Sequence, residues 1–367
     1  MNVVININSL QKIVQYDDRH FIKDRIRQLI ITHPQHIFFI ISADKNELLA
    51  SLKNTAIVKS NHYGDNFRSA IWYAYRLPTI LKKTKATIFI NMTDICSLKT
   101  TVPQCLILQD ISMVARPTVF FKKTEVYLKK ATTIIAASEF LKNHICKQFK
   151  ITEEKVQVIY NGINNNFLAT DQPEKESTKE KYADGKEYFL FSGELNNDNN
   201  LVNLLKAFSF FKKRQKSNMQ LLIAAINYLP ANLFEKSLQT YKYRNDVKLL
   251  PNLNKDELVK ITAAAYVFVY ATFKTAPYLS VLQAMQCGIP VIVSNTLLMN
   301  EICEDAALFT NPAVFENIAD KMMLVFKDET LRNDLIAKGK LQAARFNYSA
   351  AGDLFWQSIE KCAAEND

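Results

Sequence analysis

Short runs of apolar residues alternate with segments of helical length along the first half of the chain. The apolar runs are bounded by polar turns and lie at residues 3–7, 37–42, 86–91, 105–110 and 133–138. Runs of this kind, separated by helix-length segments, predict a parallel sheet that helices cover. Ser138 follows the last of these runs and has the position of a helix N-cap before Glu139.

The same alternation begins again after a polar, charged stretch at residues 169–185. The apolar runs of the second series lie at residues 188–193, 219–226, 247–250, 266–270 and 291–294. We interpret the polar stretch as a connection between domains that contains a short helix. Because 367 residues exceed what a single core usually holds, the sequence predicts an α/β protein of two Rossmann-like domains.

The cysteine pattern and the hydropathy argue against a disulfide-bonded, metal-binding or membrane-spanning protein. The six cysteines are scattered, with no C-x-x-C pair and no histidine at the spacing of a metal ligand. We therefore expect no disulfide framework, no metal site and no cofactor, and a cytoplasmic location. No apolar run approaches the ~20 residues that a membrane span needs, so the chain is expected to be soluble or peripheral at the inner face of a membrane.

The formal net charge of +10 suggests an anionic partner. Basic residues cluster at 82–85, 120–130 and 210–216. One explanation is solvated helix faces with extended lysines. The other is contact with an anionic membrane, because aromatic residues adjoin the lysines on predicted helices. The membrane hypothesis concerns Lys122, Lys123, Lys129 and Lys130, beside Phe120, Phe121 and Tyr127. Nucleic acid is not expected, since no binding motif accompanies the charge.

Residues 273–295 carry the most informative motif, FKTAPYLSVLQAMQCGIPVIVSN. This segment resembles the signature of group 1 (GT4-like) nucleotide-sugar glycosyltransferases, which reads roughly E-G-F-G-L-P-x-L-E-A-M-A-x-G-x-P-V-I-x-S. Further likenesses to the family follow in order at 136–140, 156–164, 193–208, 301, 305–308 and 311–312. Together they identify the chain, from about residue 105 to about residue 348, as a member of this family.

The resemblance implies the GT-B fold, in which two Rossmann-like domains face each other across a cleft. The corresponding bounds are 1–168 for an acceptor-side domain, 187–345 for a donor domain, and 346–367 for a helix that returns to the first domain. Such enzymes transfer a sugar from a nucleotide-diphosphate sugar with retention of configuration, usually without a metal. The implied partners are a nucleotide sugar and a glycan or lipid-linked acceptor, in polysaccharide or glycoconjugate assembly.

The charged positions of the family's donor site are replaced in this chain. The first signature glutamate, which faces the donor sugar, corresponds to Thr275, and the second, which holds the ribose, to Gln283. The Arg-Lys pair of the motif G-x-x-x-x-R-K-N-L, which grips the diphosphate, corresponds to Asp198 and Asn199 after Gly193. A carboxylate beside a diphosphate repels it, whereas cations and backbone N–H groups stabilise it.

Glycines and an imidazole of the family are replaced as well. The G-F-G loop corresponds to Ala276, Pro277 and Tyr278, and proline has no N–H to donate. The paired glycines that usually follow the first strand are absent from residues 9–13, and the family's His-Asp corresponds to Gln109 and Asp110. The resemblance thus gives Asp110, Gln109 and Thr275 as catalytic positions, and Gly193, Asp198, Asn199, Ala276, Tyr278, Leu279 and Gln283 as nucleotide-binding positions.

Three hypotheses about function follow from these replacements. The first is a glycosyltransferase with weakened activity that relies on Asp110, Gln283 and Asn295. The second is a non-catalytic paralogue that binds a glycan or a partner glycosyltransferase. The third is a peripheral membrane scaffold that uses the helices rich in lysine and aromatic residues.

Overall fold

The computed structural model describes residues 1–8, 16–43, 49, 51–60, 70–114, 118–163, 166–226, 233–273 and 278–365. The chain divides into two compact units. The first contains Met1–Asn161 together with Tyr348–Asp367, and the second contains Gly162–Asn347.

A parallel sheet forms the centre of the first unit. Its described strands are β1 (Asn2–Asn6), β2 (Ile37–Ser42), β3 (Thr55–Lys59), β4 (Ile88–Asn91), β5 (Gln104–Leu108), β6 (Thr133–Ala136) and β7 (Val156–Val158). Their order is β3-β2-β1-β4-β5-β6-β7, and every neighbouring pair is parallel. The helices of this unit are α1 (Tyr16–Thr32), α2 (Leu77–Lys83) after a π-helical turn at Trp72–Arg76, α3 (Thr118–Lys130) and α4 (Glu139–Phe149).

Both faces of this sheet are covered. Along β1, Val3 and Ile5 belong to one buried cluster while Val4 belongs to another, which also contains Trp72 and Leu77. Because successive strand residues point to opposite faces, a sheet covered on both sides needs strands that are apolar throughout. This explains why the interior strands are recognisable in the sequence as continuous apolar runs.

A second parallel sheet forms the centre of the second unit. Its described strands are β8 (Tyr188–Glu194), β9 (Gln220–Ile226), β10 (Val247–Pro251), β11 (Val267–Tyr270), β12 (Val291–Ser294) and β13 (Ala307–Thr310). Their order is β10-β9-β8-β11-β12-β13. The helices are α5 (Gln172–Ala183), α6 (Leu201–Gln215), α7 (Leu233–Gln239), α8 (Lys255–Ala263), α9 (Leu279–Gln286), α10 (Leu297–Cys303), α11 (Phe315–Lys327) and α12 (Glu329–Ala344). The predicted α/β class with two Rossmann-like domains is confirmed.

The polar stretch at 169–185 contains the predicted short helix, but the whole stretch lies within the second unit and not between the units. Asp171 caps this helix, α5, by accepting a hydrogen bond from the backbone N–H of Glu174 at 3.0 Å. Lys179 is buried and its ammonium lies 2.6 Å from a carboxylate oxygen of Glu187. The low hydrophobicity of the stretch suggested a linker, whereas a capping residue and ion pairs stabilise it as a helix.

The last helix, α13 (Tyr348–Ala364), belongs to the first unit. Phe355, Trp356 and Ile359 lie in the same buried cluster as the strands of the first sheet. The guanidinium of Arg25 on α1 lies 4.1 Å from the ring centroid of Tyr348 and donates to the carbonyl oxygen of that residue at 3.0 Å. The returning helix therefore completes a core that the first 161 residues leave open.

The contribution of α13 to this core is testable. Replacing Ile359, which is fully buried, with alanine should lower the free energy of unfolding by ~2–5 kcal/mol, because the change removes apolar contacts and leaves a cavity. The control is Leu354→Ala on the same helix, where the side chain is 52% exposed and the loss should stay within ~0.5 kcal/mol. Urea unfolding followed by circular dichroism measures both. Equal losses in the two variants would contradict the assigned role.

Candidate functional site in the second unit

The order of the second sheet reverses between β8 and β11, since β9 and β10 lie on one side of β8 and β12 and β13 on the other side of β11. In open parallel sheets, ligands bind outside the carboxyl ends of the strands at such a switch point. Six of the seven predicted nucleotide-binding residues belong to the described structure. They lie at the end of β8, in the loop after it, or at the start of α9, the helix that follows β11. The structure therefore brings Gly193, Asp198, Asn199, Tyr278, Leu279 and Gln283 to neighbouring segments of one unit.

The loop after β8 is held by its own amides. Asn199 ends a short 3-10 turn and is 2% exposed. Its Nδ2 donates to the carbonyl oxygen of Glu194 at 2.6 Å, and its backbone N–H donates to Oδ1 of Asn196 at 3.1 Å. The Oδ1 atom of Asn199 is buried without a hydrogen-bond partner in the described structure. Asp198, by contrast, is exposed.

Gly193 allows this loop to pack closely. A Cβ atom on Gly193 would lie 3.0 Å from the Cζ atom of Phe191 and 3.6 Å from Nδ2 of Asn199. The first of these distances is too short for an ordinary contact, so a side chain there would displace the buried ring. Glycine at this position thus serves the packing of the loop against β8.

Asn200 links three segments of the site. Its Nδ2 donates to the carbonyl oxygens of Ala271 at 2.8 Å and Pro312 at 2.6 Å. Its φ of 58° lies in the left-handed region, where asparagine is tolerated better than most residues. In addition, the N–H of Phe273 donates to the carbonyl oxygen of Asp198 at 2.9 Å. These hydrogen bonds fix the loop after β8 against the segment after β11.

Helix α9 begins at Leu279, and eight residues separate it from the end of β11. Its N-cap residue, Tyr278, makes no capping hydrogen bond through its side chain. The side chains of Tyr278 and Leu279 are buried, so these residues can offer only backbone to a ligand. Gln283 is half-buried one turn further along α9. Thr275, Ala276 and Pro277 lie outside the described residues.

The first unit has its own switch point, between β1 and β4. Asn6 at the end of β1 donates from Nδ2 to Oδ1 of Asn91 at 3.0 Å and to the hydroxyl of Tyr73 at 3.2 Å. All three residues are buried. Burial raises the pKa of the Tyr73 hydroxyl far above its ordinary value, so this group stays neutral and accepts hydrogen bonds from the amides of Asn6 and Asn91. Sequence reasoning missed this network, although asparagine ending two apolar runs, at Asn6 and Asn91, is a usable signal.

Gln109 and Asp110 follow β5 in the first unit, and both are half-buried. Oε1 of Gln109 accepts a hydrogen bond from Nδ2 of Asn161 at 2.6 Å. The side chain that replaces the family's imidazole therefore ties the end of β5 to the end of the first unit. Residues 9–13, where the family's paired glycines would lie, are outside the described residues.

The basic clusters differ in their surroundings. Lys212 is buried, and its ammonium lies 3.0 Å from a carboxylate oxygen of Asp246. Lys123, Lys129 and Lys130 on α3 are exposed, whereas Tyr127 packs partly against the core. The interpretation of 210–216 as surface charge is therefore wrong for Lys212.

Two kinds of feature are absent from the described residues. No group of three or more His, Cys, Asp or Glu side chains is arranged to hold a metal ion. Among the same residues, no helix has the length and apolarity of a membrane span.

Comparison with known proteins agrees with this architecture. The family model described as "Glycosyl transferases group 1" matches residues 172–342, and the model described as "Glycosyltransferase Family 4" matches residues 112–167. The chain belongs to the group 1, GT4-like glycosyltransferases. The matched parts contain the loop after β8, the start of α9 and the segment that leads out of the first unit.

One relative and two solved structures show the range of similarity. An O-antigen chain mannosyltransferase B of Escherichia coli is 23% identical over 60% of this chain, and the match spans 58% of that relative's length. A glycosyltransferase of Rickettsia africae ESF-5 superposes with a TM-score of 0.79 at 16% identity, covering 98% of both chains. HepE of Anabaena, solved with UDP-glucose, superposes with a TM-score of 0.74 at 15% identity, covering 98% of this chain and 100% of HepE. These likenesses show that the fold is GT-B.

The role of Asn200 in the site is testable. Asn200→Ala should lower the free energy of unfolding by ~2–5 kcal/mol, because it removes two buried hydrogen bonds and places alanine in the left-handed region. Asn200→Gly removes the same bonds without the steric cost, so it should lose ~1–2 kcal/mol less. Denaturant unfolding of both variants measures the difference. If glycine and alanine cost the same, the left-handed conformation is not what selects asparagine.

Proposed function

We propose that this protein transfers a sugar from a nucleotide-diphosphate sugar to a glycan or lipid-linked acceptor, with retention of configuration and with weakened activity. Family membership, the O-antigen mannosyltransferase relative and the UDP-glucose bound by HepE support this class of substrate. The observation that carries the proposal is the loop after β8, which is hydrogen-bonded to the segment after β11 that leads to α9. On this basis the reaction belongs to polysaccharide or glycoconjugate assembly.

The start of α9 provides donors for the diphosphate. The first N–H groups of a helix have no partner within the helix, and the helix dipole favours an anion there. The side chain of the N-cap residue Tyr278 does not cap α9, and we propose that these N–H groups bind phosphate oxygens. Gln283 is positioned one turn along the same helix, and its amide can hydrogen-bond a ribose hydroxyl.

The chemical step breaks the bond between the anomeric carbon and the phosphate oxygen and forms a bond from that carbon to an acceptor hydroxyl. The nucleoside diphosphate leaves with the electron pair, and the acceptor proton passes to a base or to the leaving phosphate. The positions that the family would use are Asp110, Gln109 and Thr275, and these assignments remain predictions. No metal ion is part of the proposal, so protein groups must stabilise the charge that grows on the leaving phosphate.

The activity is proposed to be weak because the loop after β8 has a negative charge where a diphosphate needs a positive one. Asp198 is exposed and carries a carboxylate where the family has a cation. Asn199 is buried, and its Nδ2 already bonds to the loop backbone at 2.6 Å. Losing one well-placed donor to a developing anion costs ~10²–10³ in rate, and here two cationic positions are changed together. The same observation favours a second candidate, a catalytically inactive paralogue that binds a glycan or a partner glycosyltransferase.

A charge reversal tests this account of the donor site. Asp198→Arg should tighten binding of UDP or GDP about tenfold, because an exposed carboxylate becomes a cation beside the diphosphate. The control is Asp320→Arg on α11, which makes the same change of charge at another exposed aspartate of the second unit and should leave affinity unchanged. Isothermal titration calorimetry measures both.

Wild-type behaviour separates the two candidates. An active enzyme releases nucleoside diphosphate from UDP- or GDP-sugars in the presence of an acceptor, however slowly, whereas an inactive paralogue does not. Micromolar binding of a nucleotide sugar by the wild-type protein, followed by rapid turnover, would show that the weakened-activity proposal is wrong.

We also propose peripheral contact with anionic lipid through α3. Replacing Lys123, Lys129 and Lys130 with glutamine should reduce sedimentation with phosphatidylglycerol vesicles at low salt, since each surface lysine contributes ~1 kcal/mol to such binding. Glu125 lies 2.6 Å from the ammonium of Lys129, so Lys123 and Lys130 should contribute most. The control replaces Lys142, Lys147 and Lys361 of the same unit. If both triple variants sediment like the wild type, these lysines are merely solvated.

A further inference from the structure

A cavity of about 530 Å³ opens on the surface of the second unit, outside the loops of the donor site. Helix α6, the segment Tyr241–Tyr243 and the start of α11 surround it. The proposed transfer reaction uses none of the residues that line this cavity.

Aromatic rings form the walls of the cavity. The rings of Phe210 and Phe315 contact each other edge to face, with centroids 6.4 Å apart. Those of Tyr241 and Tyr243 do the same at 6.2 Å. The lining thus combines two aromatic pairs, one from α6 and α11 and one from the segment after α7.

The tyrosine wall is fixed in position. The Tyr241 hydroxyl donates to the carbonyl oxygen of Leu205 at 2.7 Å and accepts from Oγ of Ser209 at 2.8 Å. Burial raises the pKa of Tyr241 to about 12, so the hydroxyl stays protonated and keeps its bond to α6. A preformed wall lowers the entropy that a ligand must lose to bind.

Three exposed lysines surround these rings. Lys206 and Lys213 are seven residues apart on α6, so they lie on one face of the helix with Phe210 between them. The ammonium of Lys206 lies 5.9 Å from the ring centroid of Phe315, and that of Lys242 lies 5.4 Å from the ring centroid of Tyr243. Among the described lining residues none is acidic, and no ion pair of these three lysines is found in the described structure.

The neighbouring Lys212 differs from these three lysines because it is buried. It points inward, where it pairs with Asp246 and donates to the carbonyl oxygens of Ser217 and Met219. Lys206, Lys213 and Lys242 have charge without such local compensation, concentrated around an aromatic cavity. The chemistry that complements this arrangement is an anion attached to a ring with apolar faces.

We infer that this cavity binds one acidic sugar unit of a glycan, a pyranose ring with a carboxylate or phosphate substituent. The C–H faces of the pyranose pack against the aromatic walls, and the lysines donate charge-assisted hydrogen bonds to the anionic group. The volume lies within the ~300–1,000 Å³ range of small-ligand sites. This site is separate from the proposed transfer site, and its occupancy does not require a nucleotide sugar.

Titration calorimetry with a matched pair of oligosaccharides tests the inference. A trisaccharide that ends in glucuronic acid should bind the wild-type protein about tenfold more tightly than the same trisaccharide ending in glucose, because only the former offers an anion to the lysines. Lys206→Gln with Lys213→Gln should abolish this difference. The control pair, Lys321→Gln with Lys327→Gln on α11, removes the same charge away from the cavity and should keep the difference. A trisaccharide ending in a sugar phosphate distinguishes a preference for phosphate from one for carboxylate.

A second variant tests the aromatic walls. Phe315→Leu keeps the lysines but removes a ring, so it should weaken both trisaccharides by a similar factor, with thermal unfolding as the check on folding. Saturating UDP should leave trisaccharide binding unchanged, which keeps this result distinct from the donor site.

Three outcomes would overturn the inference. One is equal or absent binding of the acidic and neutral trisaccharides by the wild-type protein. Another is competition by UDP. The third is lysine-dependent binding to phosphatidylglycerol vesicles without any binding of the acidic trisaccharide, which would identify the cavity as part of a membrane surface.

Discussion

Burial of both faces of each sheet is the constraint on which the rest of this structure depends. In the first unit, successive residues of β1 enter two different cores, and α13 must return to complete one of them. Both faces of such a parallel sheet are buried, so its strands have no solvent-exposed positions for polar side chains. Polar side chains therefore lie beyond the ends of the strands. The functional candidates of both units therefore lie at the carboxyl ends of strands, next to the point where the strand order reverses.

The same constraint explains how much of the fold could be predicted. Interior strands such as β4 were predictable. Ile88, Phe89 and Ile90 are fully buried on the two faces of the sheet, so the strand is a continuous apolar run in the sequence. Strand β3 was not predicted, since it lies at the sheet edge and its residues are half-exposed or exposed. Helix α5 was interpreted as part of a linker because its stability comes from a cap and ion pairs, which a hydropathy pattern does not reveal.

The candidate site divides in a similar way. In the structure, Gly193 lies in β8, and Asp198 and Asn199 lie in the loop that follows it. Motif order assigned these three residues to nucleotide binding, and that assignment stays a prediction. Motif order did not predict that Asn199 is buried, that Gln109 bonds to Asn161, or that Asn200 joins three segments. The bonds of Gln109 and Asn200 join residues that are 52 to 112 positions apart, and no local pattern encodes them.

The amides of the loop after β8 keep this loop folded although it lacks the cations of the family. Asn196 and Asn199 bond to one another and to the backbone of Glu194, so the loop keeps its shape through internal hydrogen bonds. A cation that is held by a bound diphosphate stabilises the loop only when the ligand is present, whereas these bonds act in the free protein. With amides in place of cations, the stability of the loop therefore does not depend on whether a phosphate is bound. Under the proposed function, the exposed carboxylate of Asp198 weakens phosphate binding without disturbing the buried hydrogen bonds of Asn199.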